Sequence, residues 1–309
     1  MKRCISEAEA AFIEGGVTEN VRSDGRGRLS MRPMDIETGL IPQANGSARL
    51  RLGTTIGSHT TTDVLVGVKA ELVSPLKEAP DCGLLRFSVQ VPPEVGSGGA
   101  ASQDSVTAAD ELGMEIARTL ARVIGGSCDE LIHSLCVAPG RYCWLLHVDA
   151  VVIDRSGGNL FDAVGLAVRA ALSTTTLPKI SLSVDSSETQ GIESDEIDLS
   201  EDPMDCYTIN AACVPVCVTV LKVNGPSGST AFIDGTEEEE MCAGAKLTVG
   251  VTPKGMMCGL HKSGRGALPP SSLGEMIRVA QKVGLEMIKS LNLALKMERN
   301  ENTPPIGFF

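Results

Sequence analysis

A glycine pair between an apolar strand-like run and an apolar helical run is the part of this sequence best suited to chemistry. Residues 154–160 read Asp-Arg-Ser-Gly-Gly-Asn-Leu and feed directly into LFDAVGLAVRAAL. Free N–H groups at such a turn, with a helix dipole behind them, can hold a phosphate. A guanidinium after the glycines would strengthen the site through bidentate recognition, but Asn159 and Leu160 stand there instead. A simple change of chain direction is the alternative. Arg118 and Arg122 lie four residues apart on the polar face of a helical stretch, so both point the same way; a solvated face or an RNA-backbone contact would use them. The four histidines are scattered, and His147, inside an apolar strand, reads as a satisfied core residue. No Ser/His/Asp or Cys/His arrangement can be assembled for nucleophilic catalysis.

The ten cysteines contain no CxxC and no Cys/His quartet with zinc spacing, so neither a metal nor a cofactor is expected. Cys136, Cys143, Cys217, Cys242 and Cys258 sit in or beside apolar runs, where a thiol behaves as a small hydrophobe. Buried free thiols imply a reducing compartment, cytoplasm or nucleus.

Those groups must be positioned by 309 residues, of which 42% are hydrophobic, 21% charged and only 3% aromatic. The core must therefore come from Val, Leu, Ile, Ala and Met. No run approaches the roughly 20 apolar residues of a membrane helix, and MKRCISEAEA turns acidic without a signal-like apolar stretch. The net charge is −12, which excludes a bulk basic nucleic-acid binder. Residues 185–205 carry nine carboxylates and no Lys or Arg. That composition predicts a solvated connector between an N-terminal half, 1–184, with its own helix and arm, and a C-terminal half, 206–309. Arg22, Arg26, Arg28 and Arg32 crowd the arm, with solvated surface as their ordinary reading.

Apolar periodicity predicts a helix over 6–15 and strands over 34–41, 48–52, 64–72 and 84–91, with a hairpin signal at Asn45-Gly46. A helix follows over 112–124, strands over 131–137 and 143–153, and a buried helix over 160–172. After the connector come strands at 214–223, 230–234, 246–251 and 256–260 and a long amphipathic helix over 271–295. Strands then helices, twice, is an α+β architecture whose two sheets are each covered on one face. An all-parallel sheet fits poorly, because the strands come in hairpin-like clusters.

Several strings, in order, resemble the RNase PH family, and more closely its members in the ring of the RNA exosome. They are R-x-D-G-R at 22–26, ETGLIPQANGSARLRLG at 37–53, DVLVGVKAE at 63–71, GGNLFDAVGLAVRAAL at 157–172, VPVCVTVLKV at 214–223 and V-T-P-K-G at 251–255. The resemblance implies mixed sheets covered by helices and a hexameric ring of six RNase PH-like subunits threading single-stranded RNA. It also implies cap proteins and associated nucleases as partners, with rRNA maturation and mRNA turnover in nucleus, nucleolus and cytoplasm. Active relatives use inorganic phosphate to cleave RNA from its 3′ end, holding it at a Gly-Gly turn with an Arg two residues on. By that correspondence Gly157 and Gly158 persist while Leu160 replaces the Arg. Counting back from Pro215, Cys213 and Tyr207 replace two carboxylates, and neither substitutes readily for an acid. The expectation is a ring member without catalytic residues. An active phosphorolytic exoribonuclease using Asp154 or Asp149, or a scaffold unrelated to RNA, are the competing readings. Two departures stand out: TTIGSHTTT at 54–62, and a lengthened loop at 96–109.

Overall fold

The computed structural model describes residues 5–53, 61–94, 101–183, 196–199, 205–225 and 228–301. Helix α1 (Glu7–Thr18) opens on a capping box in which Ser6 and Glu9 satisfy each other's N–H groups. The arm then leads into strands β1 (Met34–Thr38), β2 (Gly46–Leu52), β3 (Thr62–Val73) and β4 (Leu84–Gln90), followed by α2 (Gln103–Gly125) and α3 (Asp129–Ser134). Short β5 (Cys136–Ala138), long β6 (Tyr142–Asp154) and α4 (Leu160–Thr174) complete this part. The first sheet has the order β1-β2-β3-β6-β4, with β5 on β6. β4 runs parallel to β6 and every other pairing is antiparallel, so the sheet is mixed.

Then come β7 (Thr176–Pro178), β8 (Ile180–Ser183), β9 (Glu196–Leu199), β10 (Cys206–Thr208) and a 3₁₀ turn, Ala211–Cys213. Strands β11 (Val216–Gly225), β12 (Gly228–Ile233), β13 (Ala245–Val251) and β14 (Met257–Ser263), with α5 (Glu237–Cys242) after β12, form an antiparallel sheet of order β12-β11-β13-β14. Helix α6 (Pro270–Glu301) packs on β11 and β13.

The register explains the burial. Leu50, Val64, Val66, Val148, Ala150 and Val152 alternate onto the inner face of the first sheet. Asp149, Val151 and Ile153 alternate outward and are exposed. Helix α4 packs on β2 and β3 from one side and β11 from the other, which is why its residues from Asp162 to Leu172 are all buried. One continuous apolar cluster joins both sheets, α2, α4 and α6. A smaller one, Val17 with Leu221, Val223 and Phe232, lies beneath α1 on the face of the second sheet that α4 also covers, away from α6. The second sheet is thus covered on both faces, not one. Its continuous apolar strand at 216–223 reflects that.

Other expectations shift locally. Residues 131–134, read as strand, belong to α3, and Gln103 onward, read as loop, extends α2 by about two and a half turns. Within the acidic connector, β9 pairs antiparallel with β8; most of the connector, with 54–60 and 96–100, lies outside the described residues. His147 faces outward and bonds Glu71 at 2.9 Å instead of entering the core. Among the described residues nine cysteines are free thiols, and of the five singled out Cys143 and Cys217 are buried while the others are half-buried. No described helix is long and apolar enough to cross a membrane.

Candidate functional site

β6 delivers Asp154 to the turn, and its carboxylate is consumed locally. Asp154 accepts from the Ser156 N–H at 2.9 Å and the Thr61 hydroxyl at 2.8 Å. Burial would raise its pKa, but these hydrogen bonds outweigh burial and hold the carboxyl below the ordinary range. The N–H groups that a phosphate would need are likewise engaged. Gly157 donates to the Thr61 carbonyl at 2.8 Å and Gly158 to the Arg155 carbonyl at 3.1 Å. Asn159 donates its N–H to Glu240 Oε1 at 2.6 Å, and Glu240 in turn accepts from Lys246. An internal carboxylate thus occupies the start of α4, where the helix dipole favours negative charge.

The glycines are required by crowding. A Cβ on Gly157 would lie 2.5 Å from both Arg32 Nη1 and Thr62 Oγ1, and one on Gly158, at φ +72°, would lie 2.8 Å from the Glu237 nitrogen. Asn159 follows in the left-handed region at φ 53°, which Asn tolerates better than most residues. Leu160 is buried and belongs to the main apolar cluster.

Arg22, Arg26 and Arg32 of the arm are not a solvated surface. Asp234, fully buried at φ 47°, accepts from Arg32 Nη2 and Asn159 Nδ2, each at 2.8 Å, and from Arg26 Nη1 at 2.7 Å. Arg32 also donates to the Gly157 carbonyl at 2.7 Å. Arg22 is buried beside Phe232, paired with Glu239 and bonded to the carbonyls of Ile233 and Asp234. Burial pushes the Asp234 carboxyl up, but Arg32 and then Arg26 more than reverse this and hold it at about 2. Arg22 and Arg26 of the R-x-D-G-R string therefore clamp the arm onto the second sheet, and Arg32 ties it to the glycine turn. One turn into α4, buried Asp162 accepts from the Thr219 N–H at 3.0 Å and hydroxyl at 2.7 Å. Burial dominates there and pushes its carboxyl up to about 7.

Tyr207 and Cys213 are not gathered at this turn. β10 pairs with β7, placing Tyr207 opposite Leu177, just beyond the C-terminal end of α4. A helix of 15 residues is about 22 Å long, so Tyr207 lies at its far end from Gly157. The Cys213 thiol lies 4.0 Å from the Asn210 carbonyl, and its interaction with neighbouring Cys128 lowers its pKa. Cys213 also acts electrostatically on Arg169, nine residues along α4 from Leu160. The expectation of one degenerate site over Gly157, Gly158, Leu160, Tyr207 and Cys213 is corrected accordingly: the first three adjoin and the other two belong elsewhere, because the strand carrying them runs past the opposite half of the helix. Asp149, the alternative acid, faces outward on β6. Arg118 and Arg122 are both exposed on one face of α2, and among the described residues neither side chain has a hydrogen-bond or ion-pair partner.

Sequence reasoning missed Glu240 and Asp234. A signal for the first existed: Thr236 and Glu239 form a capping box that starts α5, and Glu240 lies within that helix.

Comparison with known proteins agrees with this architecture. Residues 30–178 match the 3′ exoribonuclease family, domain 1, and residues 213–283 match domain 2 of that family. The chain is 33% identical to the "Putative exosome complex exonuclease RRP42" of Dictyostelium discoideum, covering 94% of this chain and 98% of that one. It is 32% identical to the "Exosome complex component Rrp42" of Methanopyrus kandleri, covering 89% and 92%. Among solved structures, an archaeal exosome core superimposes with a TM-score of 0.69 at 26% identity over 92% of this chain and 96% of that one. With both family domains matched in order on an RNase PH-like fold, the chain belongs to the 3′ exoribonuclease family.

Proposed function

We propose that this chain is a non-catalytic ring subunit of an exosome, assembled with other RNase PH-like subunits and contributing to the path of single-stranded RNA. In that reading it supports 3′-to-5′ RNA processing and decay by partner nucleases, with cap proteins as further partners, in nucleus, nucleolus and cytoplasm. Assembly is supported by relatives named as exosome components along nearly their whole length. The lack of catalysis is supported by one observation above all: the Glu240 carboxylate, 2.6 Å from the Asn159 nitrogen, fills the place where phosphate would have to bind. Leu160 adds no cation, and the Asp154 carboxylate is already bonded. Arg118 and Arg122, unpaired and exposed on one face, are the residues we assign to RNA.

The test is incubation of the purified chain, and of its assembled ring, with single-stranded RNA, phosphate and Mg²⁺. The chain alone releases no nucleoside diphosphate, and Leu160→Arg does not restore release while Glu240 remains. Release by the unaltered chain would overturn the reading and favour the active exoribonuclease that the Dictyostelium relative's name suggests.

A further inference from the structure

We propose that Asp81, Cys82 and His133 form a binding site for a soft divalent cation, Zn²⁺ by the chemistry of the donors, which staples the loop after β3 to α3. The site is separate from the glycine turn and does not depend on the ring reading. In sequence its donors are hidden, because 51 residues separate Cys82 from His133 and no CxxC marks them. In space they converge. Cys82 Sγ lies 3.8 Å from His133 Nδ1 and 3.7 Å from Asp81 Oδ1, and His133 Nδ1 lies 3.5 Å from Asp81 Oδ2.

These separations are close to the edges of a tetrahedron. With bonds from zinc of about 2.3 Å to sulfur and about 2.0–2.1 Å to nitrogen and oxygen, ligand-to-ligand edges come to about 3.3–3.6 Å. The donors need to close by only a few tenths of an ångström around an ion. A nucleophilic relay is the other chemistry that Cys, His and Asp could support, but it places base and orienter on opposite ring nitrogens. Here thiol and carboxylate approach the same Nδ1, as ligands of a shared ion do. Thiolate with imidazole selects zinc over magnesium or calcium, which prefer oxygen.

The scaffold holds the two segments together without the ion. Gly83 N–H donates to the Ile132 carbonyl at 2.9 Å, and Gly140 N–H to the Pro80 carbonyl at 2.7 Å. A Cβ on Gly83 would lie 2.3 Å from Leu135 Cβ, so only glycine allows Cys82 this close to α3. Asp81 and His133 are exposed, which gives an ion access and leaves the fourth position to water. Cys136, whose Sγ lies 4.0 Å from the Pro80 carbonyl, borders the same loop as a second thiol. His133 Nδ1 also lies 3.2 Å from the Asp81 carbonyl. When Nδ1 takes the metal the imidazole carries its single proton on Nε2, and the proton released is that of the Cys82 thiol.

The experiment uses the full-length chain, stripped with a chelator and titrated with Co²⁺ and then Zn²⁺. The site predicts one cobalt per chain, bound with proton release, with tetrahedral visible bands and a thiolate-to-cobalt charge-transfer band, of one- or two-thiolate intensity, that zinc displaces. Cys82→Ser and His133→Asn, folded by circular dichroism, should each lower zinc affinity by more than the roughly 10–100-fold cost of losing an outer partner. Cys242→Ser, on α5, should change nothing. Absence of the charge-transfer band in the unaltered chain, or a band that survives both Cys82→Ser and His133→Asn, would overturn the proposal.

Discussion

Asp234→Asn isolates the charge that anchors the arginine arm, because Asn keeps the side-chain shape and tolerates φ 47°. The substitution leaves the side chains of Arg32 and Arg26, only 6% and 14% exposed, without their common carboxylate. Breaking a buried pair by removing one partner costs about 3–5 kcal/mol. At about 2–4 °C per kcal/mol for a chain approaching this size, melting should fall by at least about 6 °C. Acid dependence gives a second reading of the same contact. The Asp234 carboxyl is held at about 2 against an ordinary 3.8, a gap worth about 2 kcal/mol. Since the folded value is the lower one, that stability is present above pH 3.8 and is lost as pH falls toward 2. The unaltered chain should lose this increment between pH 4 and 2, and Asp234→Asn should not. Asp24→Asn removes a more exposed partner of Arg26 and should cost no more than about 1 kcal/mol. Thermal melting across pH with the three proteins decides it. If Asp234→Asn melts within about 1 °C of the unaltered chain at neutral pH, or shows the same acid slope, the clamp is not what holds the arm.

Gly157→Ala should cost about 1–3 kcal/mol through overpacking, seen as lower thermal stability, because its methyl collides with Arg32 and Thr62. Asp162→Asn should gain stability relative to the unaltered chain as pH rises from about 4 to 7. The raised carboxyl, at about 7, makes the ionised form the costly one, a penalty absent below 3.8 and complete above 7; the difference in melting temperature against pH checks the sign. Arg118→Glu with Arg122→Glu should weaken RNA retention by the assembled ring and flatten its salt dependence, leaving assembly intact by size-exclusion chromatography.

Periodicity made most of the elements legible, since burial on one face writes alternation into β2, β3 and β6 and a 3.6-residue stripe into α6. It failed where tertiary contacts override local pattern. The apolar run at 131–134 is helical because α3 packs against the 3₁₀ turn before β11, and short apolar runs carry no decisive period. The site was legible only as motif strings. The glycine pair marked the turn, but no local pattern could say that Glu240, 81 residues beyond Asn159, would cap it. Nor could one say that Arg22 and Arg32 would be buried, because a charge run looks solvated until its partners are known. Counting positions from Pro215 failed for a geometric reason. A strand advances about 3.3 Å per residue and a helix about 1.5 Å, so residues a few positions upstream of β11 travel quickly past the length of α4.

In the proposed non-catalytic reading, the position of Glu240 bears on how the fold is kept without the chemistry. The start of α4 favours an anion whatever the anion's purpose, and a buried helix end without a partner is costly. In the proposed reading no phosphate is bound there, and the helix end needs another partner. Glu240 fills it, and Lys246 offsets the charge it brings. A phosphate arriving about 4 Å from this carboxylate would meet a repulsion of about 4 kcal/mol per unit charge at an effective dielectric of about 20, roughly a thousandfold in affinity before Lys246 is counted. That is why an arginine at position 160 alone is insufficient, and why Glu240→Gln must accompany Leu160→Arg before phosphate can compete for the turn. If the double variant binds phosphate and Leu160→Arg does not, measured by calorimetry on folded protein, the internal carboxylate is what closes the site. Equal binding by both would assign that role to the buried packing around Leu160 instead.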